Sequence, residues 1–194
     1  MEFTLASANA HKAEELNDLL NESGVRIVPS TKKLDVVEDG LTFQENALLK
    51  AKAYFDEFGV PCVSDDSGLV LPAREDILGI HSARYAPEAI DYKEKNDILL
   101  QDIQGLDGDK RKAYFVCYLC FYISPSEVFF FEGRVHGVIG DKQAGDDGFG
   151  YDPIFYPDGC NDKSLAELPE WKMKNSHRAK ACISALNFFK GYKS

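Results

Sequence analysis

Two adjacent carboxylates, Asp65 and Asp66, stand at the end of a short apolar run. Ser67 and Gly68 follow them, and a second apolar run begins at Leu69. This order predicts a strand, an acidic turn and a second strand. Asp and Ser bond their own backbone in turns, so a plain turn explains the pair by itself. Neighbouring side chains on an extended chain point to opposite faces, so we do not expect the two carboxylates to share one role.

A third carboxylate, Glu38, lies before a predicted helix that carries Lys50. Mg²⁺ takes oxygen ligands, keeps several waters and bridges to substrate phosphates, so a few carboxylates from separate segments can hold it. Glu38 and Asp66 would suit such an ion, although their spacing alone does not place them side by side. A solvated helix face explains Lys50 equally well, since Lys50 lies one turn beyond Asn46.

Polar residues also follow the first predicted strand, where Ser7, Asn9 and Lys12 surround the start of a helix. Ligands of open α/β sheets bind beyond the carboxyl ends of strands, and a helix N-terminus offers N–H groups to an anion. Lys12 in the first helical turn is unfavourable for the helix dipole, which indicates another role for it. The alternative is that Asn9 only caps the helix and Lys12 is solvated.

A glycine-rich aromatic stretch, residues 145–152, is the second unusual segment. Gly148 and Gly150 let the backbone approach a ligand closely. Phe149 or Tyr151 could stack on a flat ring. The alternative is a core position, which is the more common place for an aromatic residue of a loop.

Lys172 and the run Ser176-His177-Arg178 stand before and at the start of the last predicted helix. Arg178 in the first turn is unfavourable for the helix dipole, which favours a contact with a charged or carbonyl-bearing ligand. The alternatives are a helix cap for Ser176 and a surface position for His177.

The composition excludes several classes of protein. The 194 residues fit a single domain over 1–194, with 44% hydrophobic and 28% charged residues. A net charge of −10 argues against a nucleic-acid binder. The longest apolar run, 113–123, is too short to cross a bilayer, so no membrane association is expected. Five cysteines without a secretion signal predict reduced thiols and a cytoplasmic protein, with Cys117 and Cys120 in the core.

Hydrophobic periodicity places these residues on an α/β framework. Thr42 and Glu45 have capping-box spacing at the start of the strongest helix, and Gly59 ends it. The first half of the chain therefore follows the order β-α-β-α-β, which argues for an α/β fold. A helix from Asp91 to about Gln104, a long hairpin formed by 113–123 and 128–135, and a final helix from about Ser176 follow.

Six motifs, in this order along nearly the whole chain, resemble those of the inosine triphosphate pyrophosphatase family, the Ham1-like pyrophosphatases of non-canonical purine nucleoside triphosphates. One such motif is weak, but six in the right order are specific. The motifs are Ser7-Ala8-Asn9 with Lys12, Asp39-Gly40-Leu41-Thr42-Phe43 with Glu45-Asn46-Ala47 and Lys50-Ala51, Ser64-Asp65-Asp66-Ser67-Gly68-Leu69, Ser82-Ala83-Arg84-Tyr85, Gly148-Phe149-Gly150-Tyr151-Asp152-Pro153, and Ser176-His177-Arg178.

The resemblance implies an activity and an architecture. It implies Mg²⁺-dependent hydrolysis of ITP, dITP and XTP to the monophosphate and pyrophosphate. It also implies a homodimer whose subunit has an elongated mixed central sheet, flanking helices, and two lobes with a cleft between them.

The resemblance also implies a role for each site residue. The segment Ser7 to Lys12, with Asn9, would hold the triphosphate together with Lys50 and Ser67. Glu38 and Asp66 match the metal-binding acids, and Asp66, with Asp65 beside it, matches the general base. The purine pocket would contain Phe149, Gly150, Tyr151, Asp152, Lys172, His177 and Arg178.

Some positions depart from the family pattern. Ser7-Ala8-Asn9 replaces the usual Thr-Gly-Asn, which keeps the hydroxyl group but loses the backbone freedom of glycine. Residues 74–81 replace a glycine-rich loop, and Trp171 stands where an acid is common. Each departure leaves the proposed catalytic groups in place.

Two other functions compete with this interpretation. A Maf-like pyrophosphatase acting on other nucleotides, such as dTTP or UTP, would use the same acids with a different base pocket. A non-enzymatic nucleotide sensor would bind without turnover, but the retained acids and Lys50 make it the weakest alternative.

Overall fold

The computed structural model describes residues 1–7, 10–20 and 24–192, without the side chains of residues 10–12 and 15. Strands and helices alternate in the first half of the chain. In chain order, the elements are β1 (Glu2–Leu5), α1 (Ala10–Leu20), β2 (Arg26–Pro29), α2 (Phe43–Phe58), β3 (Cys62–Val70), α3 (Tyr92–Asp102), β4 (Lys112–Ser124), β5 (Glu127–Ile139), β6 (Phe155–Pro157), α4 (Pro169–Asn175) and α5 (His177–Phe189). Short 3₁₀ turns join several of them.

The strands form one mixed sheet in the order β2-β1-β3-β4-β5-β6. β1 runs parallel to β2, with Phe3 opposite Ile27, and parallel to β3, with Leu5 opposite Val63. β6 joins the other edge antiparallel to β5. The parallel half follows from the helical crossovers between β1, β2 and β3, since parallel neighbours need a long connection. The predicted α/β class with a mixed sheet and flanking helices is confirmed.

The chain divides into two compact units, each with its own apolar core. The first unit comprises residues 1–67, 117–133 and 177–194, and the second comprises 68–116 and 134–176. In the first unit, Phe3, Phe121 and Phe189 pack edge to face or tilted at 4.9–5.8 Å between ring centroids. In the second, buried leucine, isoleucine and aromatic side chains of α3, β4, β5 and the segment after β3 form the core. The single-domain assignment stays a prediction.

Local sequence signals fix both ends of α2. The Thr42 hydroxyl accepts a hydrogen bond from the Glu45 amide, and the Glu45 carboxylate accepts one from the Thr42 amide. Gly59 ends the helix in the left-handed region at φ 66°, where a residue with a side chain is strained. Ala47, Ala51 and other buried residues form its inner face. The predicted helix and both of its caps are confirmed.

The acidic turn predicted at Asp65 and Asp66 is wrong. β3 is continuous from Cys62 to Val70, and both acids lie within it. A strand can carry polar residues at a buried position when they find partners. Ser64 donates to the Ala47 carbonyl at 2.5 Å, and Asp65 forms an ion pair with Arg178. These contacts replace the local bonds that a turn would have supplied.

The other predicted elements are close to those observed. α3 starts after Asp91, whose carboxylate accepts from the Glu94 amide at 2.8 Å. The hairpin of β4 and β5 is confirmed and extends to Ile139 around a turn at 125–126. Cys117 and Cys120 are buried in β4, as expected of core residues. Within the described ranges, every helix is too short or too polar to cross a bilayer.

Close packing at Gly133 positions the start of α5. A Cβ atom at Gly133 of β5 would collide with the carbonyl oxygen of His177 and the amide nitrogen of Ala181, and would lie 2.9 Å from Cβ of Lys180. The first two are backbone atoms, which cannot move without displacing the helix. Glycine therefore lets the first turn of α5, which carries Arg178, lie directly against the sheet.

We expect Gly133→Ala to lower the free energy of unfolding by roughly 2 kcal/mol or more. The added methyl group collides with backbone atoms, which can move only if the helix shifts. Urea unfolding followed by circular dichroism measures the change. Gly105→Ala is the matched control, because a Cβ there meets no atom within 4 Å. Equal stability of the two variants would contradict the proposed close packing.

Candidate functional site

Lys50 brings Glu38 and Asp66 together. Its ammonium nitrogen lies 2.7 Å from Oδ1 of Asp66 and 3.3 Å from Oε2 of Glu38. Lys50 comes from the middle of α2, Asp66 from β3, and Glu38 from the irregular segment before α2. The structure thus joins two acids that the sequence could only propose as neighbours.

Hydrogen bonds to α2 fix the segment that carries Glu38. On one side of Glu38, the Leu34 amide donates to the Tyr54 hydroxyl at 2.9 Å. On the other side, the Gly40 amide donates to Oδ1 of the buried Asn46, also at 2.9 Å. A Cβ at Gly40 would lie 2.7 Å from that same oxygen. The segment therefore holds Glu38 in place although it has no regular secondary structure.

Electrostatics in this group favour a positive charge. Burial raises the pKa of Asp66 to about 6, Lys50 opposes the rise, and Glu38 and Asp65 add to it. Burial lowers the pKa of Lys50, but Asp66, Asp65 and Glu38 outweigh it, so the net pKa lies above the ordinary value. Lys50 is therefore charged. The pKa of Asp66 lies near the value that suits a general base at neutral pH.

Asp65 has a different partner from Asp66. Oδ2 of Asp65 accepts from Nη2 of Arg178 at 3.0 Å, and these side chains are 5% and 7% exposed. Arg178 lies on α5, whereas Lys50 lies on α2. The two neighbouring acids thus contact side chains of different helices, and their separate roles stay a prediction. The pair also places Arg178 in the same unit as the acidic group.

Phe149 presents an exposed ring in the second unit. The residue is 66% exposed, and Nζ of Lys172 lies 4.4 Å from the ring centroid. Oδ2 of Asp152 accepts from the Phe149 amide at 2.8 Å and forms an ion pair with Lys172. Gly148 adopts φ 83°, and a Cβ there would collide with that same Asp152 oxygen. A carboxylate, a lysine and a glycine therefore fix the loop that holds this ring.

Tyr151 supports this loop from inside. It is buried, its hydroxyl donates to the Ser82 carbonyl at 2.5 Å, and its ring packs edge-on against Tyr92 at 5.6 Å. Burial raises its pKa far above the ordinary value. Of the two aromatic residues proposed for stacking, Phe149 has the accessible ring and Tyr151 is a core residue.

Sequence reasoning missed Asn96, which anchors the loop to α3. Asn96 is 1% exposed, and its Nδ2 donates to the Gly150 carbonyl at 3.1 Å and to Oε1 of Gln143 at 3.4 Å. Gln143 in turn donates to Oδ1 of Asp97 at 2.7 Å. The available signal was an amide on the apolar face of α3, one turn from the buried Leu99, where periodicity predicts a hydrophobic residue.

The remaining predicted residues have varied positions. Ser7 and Ser67 are half-buried. Asn9 lies outside the described residues, as does the side chain of Lys12, so their roles stay predictions. His177 and Ser176 are buried, so the surface position considered for His177 is wrong.

Glu38 and Asp66 could hold a metal ion whose remaining ligands are waters and phosphate oxygens. Within the described part of the chain, no group of three or more His, Cys, Asp or Glu residues could hold a metal ion by itself. Glu38 and Asp66 supply two carboxylates that already share one positive charge, that of Lys50. Two carboxylates with waters and phosphate oxygens suit Mg²⁺, which is bound in this way in many phosphate-handling sites.

Known sequences similar to this chain align with it over nearly its full length. A dITP/XTP pyrophosphatase of Aquifex aeolicus is 37% identical over 202 residues, which cover 98% of this chain and 97% of that protein. A dITP/XTP pyrophosphatase of Caldanaerobacter subterraneus is 40% identical over 190 residues, covering 94% and 93%.

Solved structures agree with the sequence relatives. A HAM1 protein from Coxiella burnetii matches with a TM-score of 0.90 and 31% identity, covering 99% of this chain and 100% of that one. The Ham1 protein of Staphylococcus aureus matches with a TM-score of 0.89 and 34% identity over the full length of both chains. The Ham1 family model matches residues 3–188. These matches confirm the resemblance inferred from the six motifs, and the chain belongs to the Ham1 family.

Proposed function

We propose that this protein hydrolyses the non-canonical purine nucleoside triphosphates ITP, dITP and XTP to the monophosphate and pyrophosphate. The observation that carries the proposal is the Lys50 contact with both Glu38 and Asp66, in a Ham1-family chain whose relatives are named dITP/XTP pyrophosphatases. Removing deaminated purines in this way would cleanse the nucleotide pool. The expectation of a cytoplasmic homodimer belongs to the same proposal.

Glu38 and Asp66 would hold Mg²⁺ in this reaction. Bound there, the ion would supply positive charge against the triphosphate oxygens and help to position the reacting phosphate. Lys50 would add a second positive charge by donating to a phosphate oxygen. Ser7, Asn9, Lys12 and Ser67 are proposed to bind further phosphate oxygens, as the family motif implies.

Asp66 would accept the proton of the attacking water. The new bond forms between the water oxygen and the α-phosphorus, and the bond between that phosphorus and the α–β bridging oxygen breaks. Pyrophosphate therefore leaves, and the nucleoside monophosphate remains. An Asp66 pKa near 6 keeps the carboxylate ionised at neutral pH and basic enough to take a proton.

Phe149 would stack on the purine ring, supported by its exposure and by Lys172 beside it. Arg178 and His177 would donate to the 6-oxo group that hypoxanthine and xanthine share. The 6-amino group of adenine leaves such a donor unpaired in a desolvated pocket, which costs roughly 1–3 kcal/mol. Asp65 then acts as a positioning residue, because its buried ion pair holds Arg178 in one orientation.

A panel of nucleoside triphosphates tests the proposed substrates. We expect pyrophosphate from ITP, dITP and XTP. The kcat/KM for ATP should be lower by roughly 5- to 150-fold, since leaving the donor unpaired costs roughly 1–3 kcal/mol. Pyrophosphate and phosphate are measured separately, and chelation of the divalent cation should stop turnover. Equal rates with all purine triphosphates would refute the specificity. Higher rates with dTTP or UTP would instead favour the Maf-like alternative.

The role of Asp66 is tested by Asp66→Asn. Loss of the carboxylate should lower kcat for ITP by roughly 10²–10⁴-fold, because a positioned general base contributes that much. Asp56→Asn is the control, because Asp56 is exposed on α2 and pairs with Lys52 instead. Circular dichroism should show both variants folded. Near-normal turnover by Asp66→Asn would exclude Asp66 as the base.

A further inference from the structure

Before any ligand binds, the carboxylates of Glu38 and Asp66 already have a cation beside them, the ammonium of Lys50. The Lys50 ammonium contacts Asp66 at 2.7 Å and Glu38 at 3.3 Å, and the Lys50 and Asp66 side chains are only 16% and 13% exposed. Screening by solvent and salt is weaker for such partly buried charges than for surface pairs. Lys50 therefore neutralises one of the two negative charges in the nucleotide-free protein.

A divalent cation bound by Glu38 and Asp66 would compete with this lysine. Both cations would bind the same two carboxylates, and like charges at such short range repel strongly in a partly buried site. For a free metal ion, one of the two carboxylate charges is therefore already neutralised by Lys50. Asp65 adds little negative charge for the metal ion, since its carboxylate forms an ion pair with Arg178.

A triphosphate changes this balance, because it supplies anionic oxygens for the lysine. The side chain of lysine is a long flexible stem with a compact charge, so the ammonium can change partners while α2 stays in place. The caps and buried face of α2 hold the base of that stem. An arginine would instead favour a fixed two-point contact with a carboxylate.

We propose that Lys50 is a resident counter-cation that weakens binding of free divalent metal ions to Glu38 and Asp66 until a nucleoside triphosphate draws it away. The metal then enters together with the nucleotide, and its binding depends on substrate. This inference rests on the proposed function for the identity of the nucleotide, but the competition between lysine and metal concerns the protein alone.

Lys52 provides a matched control for the charge of Lys50. It lies two residues further along α2 and carries the same charge, but it pairs with the exposed Asp56 at 2.5 Å. A general effect of removing one lysine from α2 should appear in both variants. A local competition should appear only in the Lys50 variant.

The test measures Mn²⁺ binding to the nucleotide-free full chain at pH 8. The electron paramagnetic resonance signal of unbound Mn²⁺ gives Kd for wild type, Lys50→Met and Lys52→Met. We expect Lys50→Met to bind Mn²⁺ about tenfold or more tightly than wild type, because a contacting charge has been removed. Lys52→Met should match wild type. Lys50→Gln repeats the measurement if the methionine variant does not fold.

An ITP analogue with a methylene group between the α- and β-phosphorus atoms provides the second arm. With this analogue bound, Mn²⁺ affinity of the wild type should rise, and the advantage of Lys50→Met should disappear. Equal or weaker Mn²⁺ binding by the nucleotide-free Lys50 variants would overturn the proposal, as would a tenfold gain in Lys52→Met. Failure of the proposed function would show separately, as absence of ITP hydrolysis by the wild type.

Discussion

The shared ammonium of Lys50 is the contact on which the candidate site depends. Two carboxylates placed together in a partly buried position repel each other, so one would take up a proton unless a cation stands between them. Burial is the main cause of the raised pKa of Asp66, Glu38 and Asp65 add to it, and Lys50 only partly offsets the rise. The nucleotide-free site is thus left with an unbalanced negative charge, which favours a further cation once the lysine has another anion to bind.

The fold serves this contact by holding three segments in fixed positions. α2 has caps at both ends, so the position of Lys50 along the helix is defined. β3 has neighbouring strands on both sides, so the side chains of Asp65 and Asp66 are fixed on opposite faces of the sheet. The glycine at position 133 lets α5 approach closely enough for Arg178 to reach Asp65. Close backbone packing at Gly133 and the buried ion pair with Arg178 therefore give Asp65 a different partner from Asp66.

The sequence predicted those parts of the fold that depend on local signals. The caps of α2 and α3, the hairpin and the β-α-β-α-β order all follow from neighbouring residues. The acidic turn was wrong because Asp65 finds its partner 113 positions away, at Arg178, and no local pattern shows that contact. α4 was missed although Pro169 at its first turn is a usual helix-start signal. Asn96 was missed because its bond to the Gly150 carbonyl is also long-range.

Two lysine–aspartate pairs, one in each unit, illustrate how the same chemical pair can serve different purposes. The oxygen of Asp152 that meets Lys172 also accepts from the Phe149 amide, and Lys172 lies over the Phe149 ring, so this pair fixes a loop. Separating it would release the loop together with its ring. The Lys50 ammonium instead divides its contacts between Asp66 and Glu38, which come from different segments. Each of those segments is held by other bonds, so Lys50 can leave without loosening them. The first pair is therefore suited to a rigid platform for a ring, and the second to a charge that changes partners during binding.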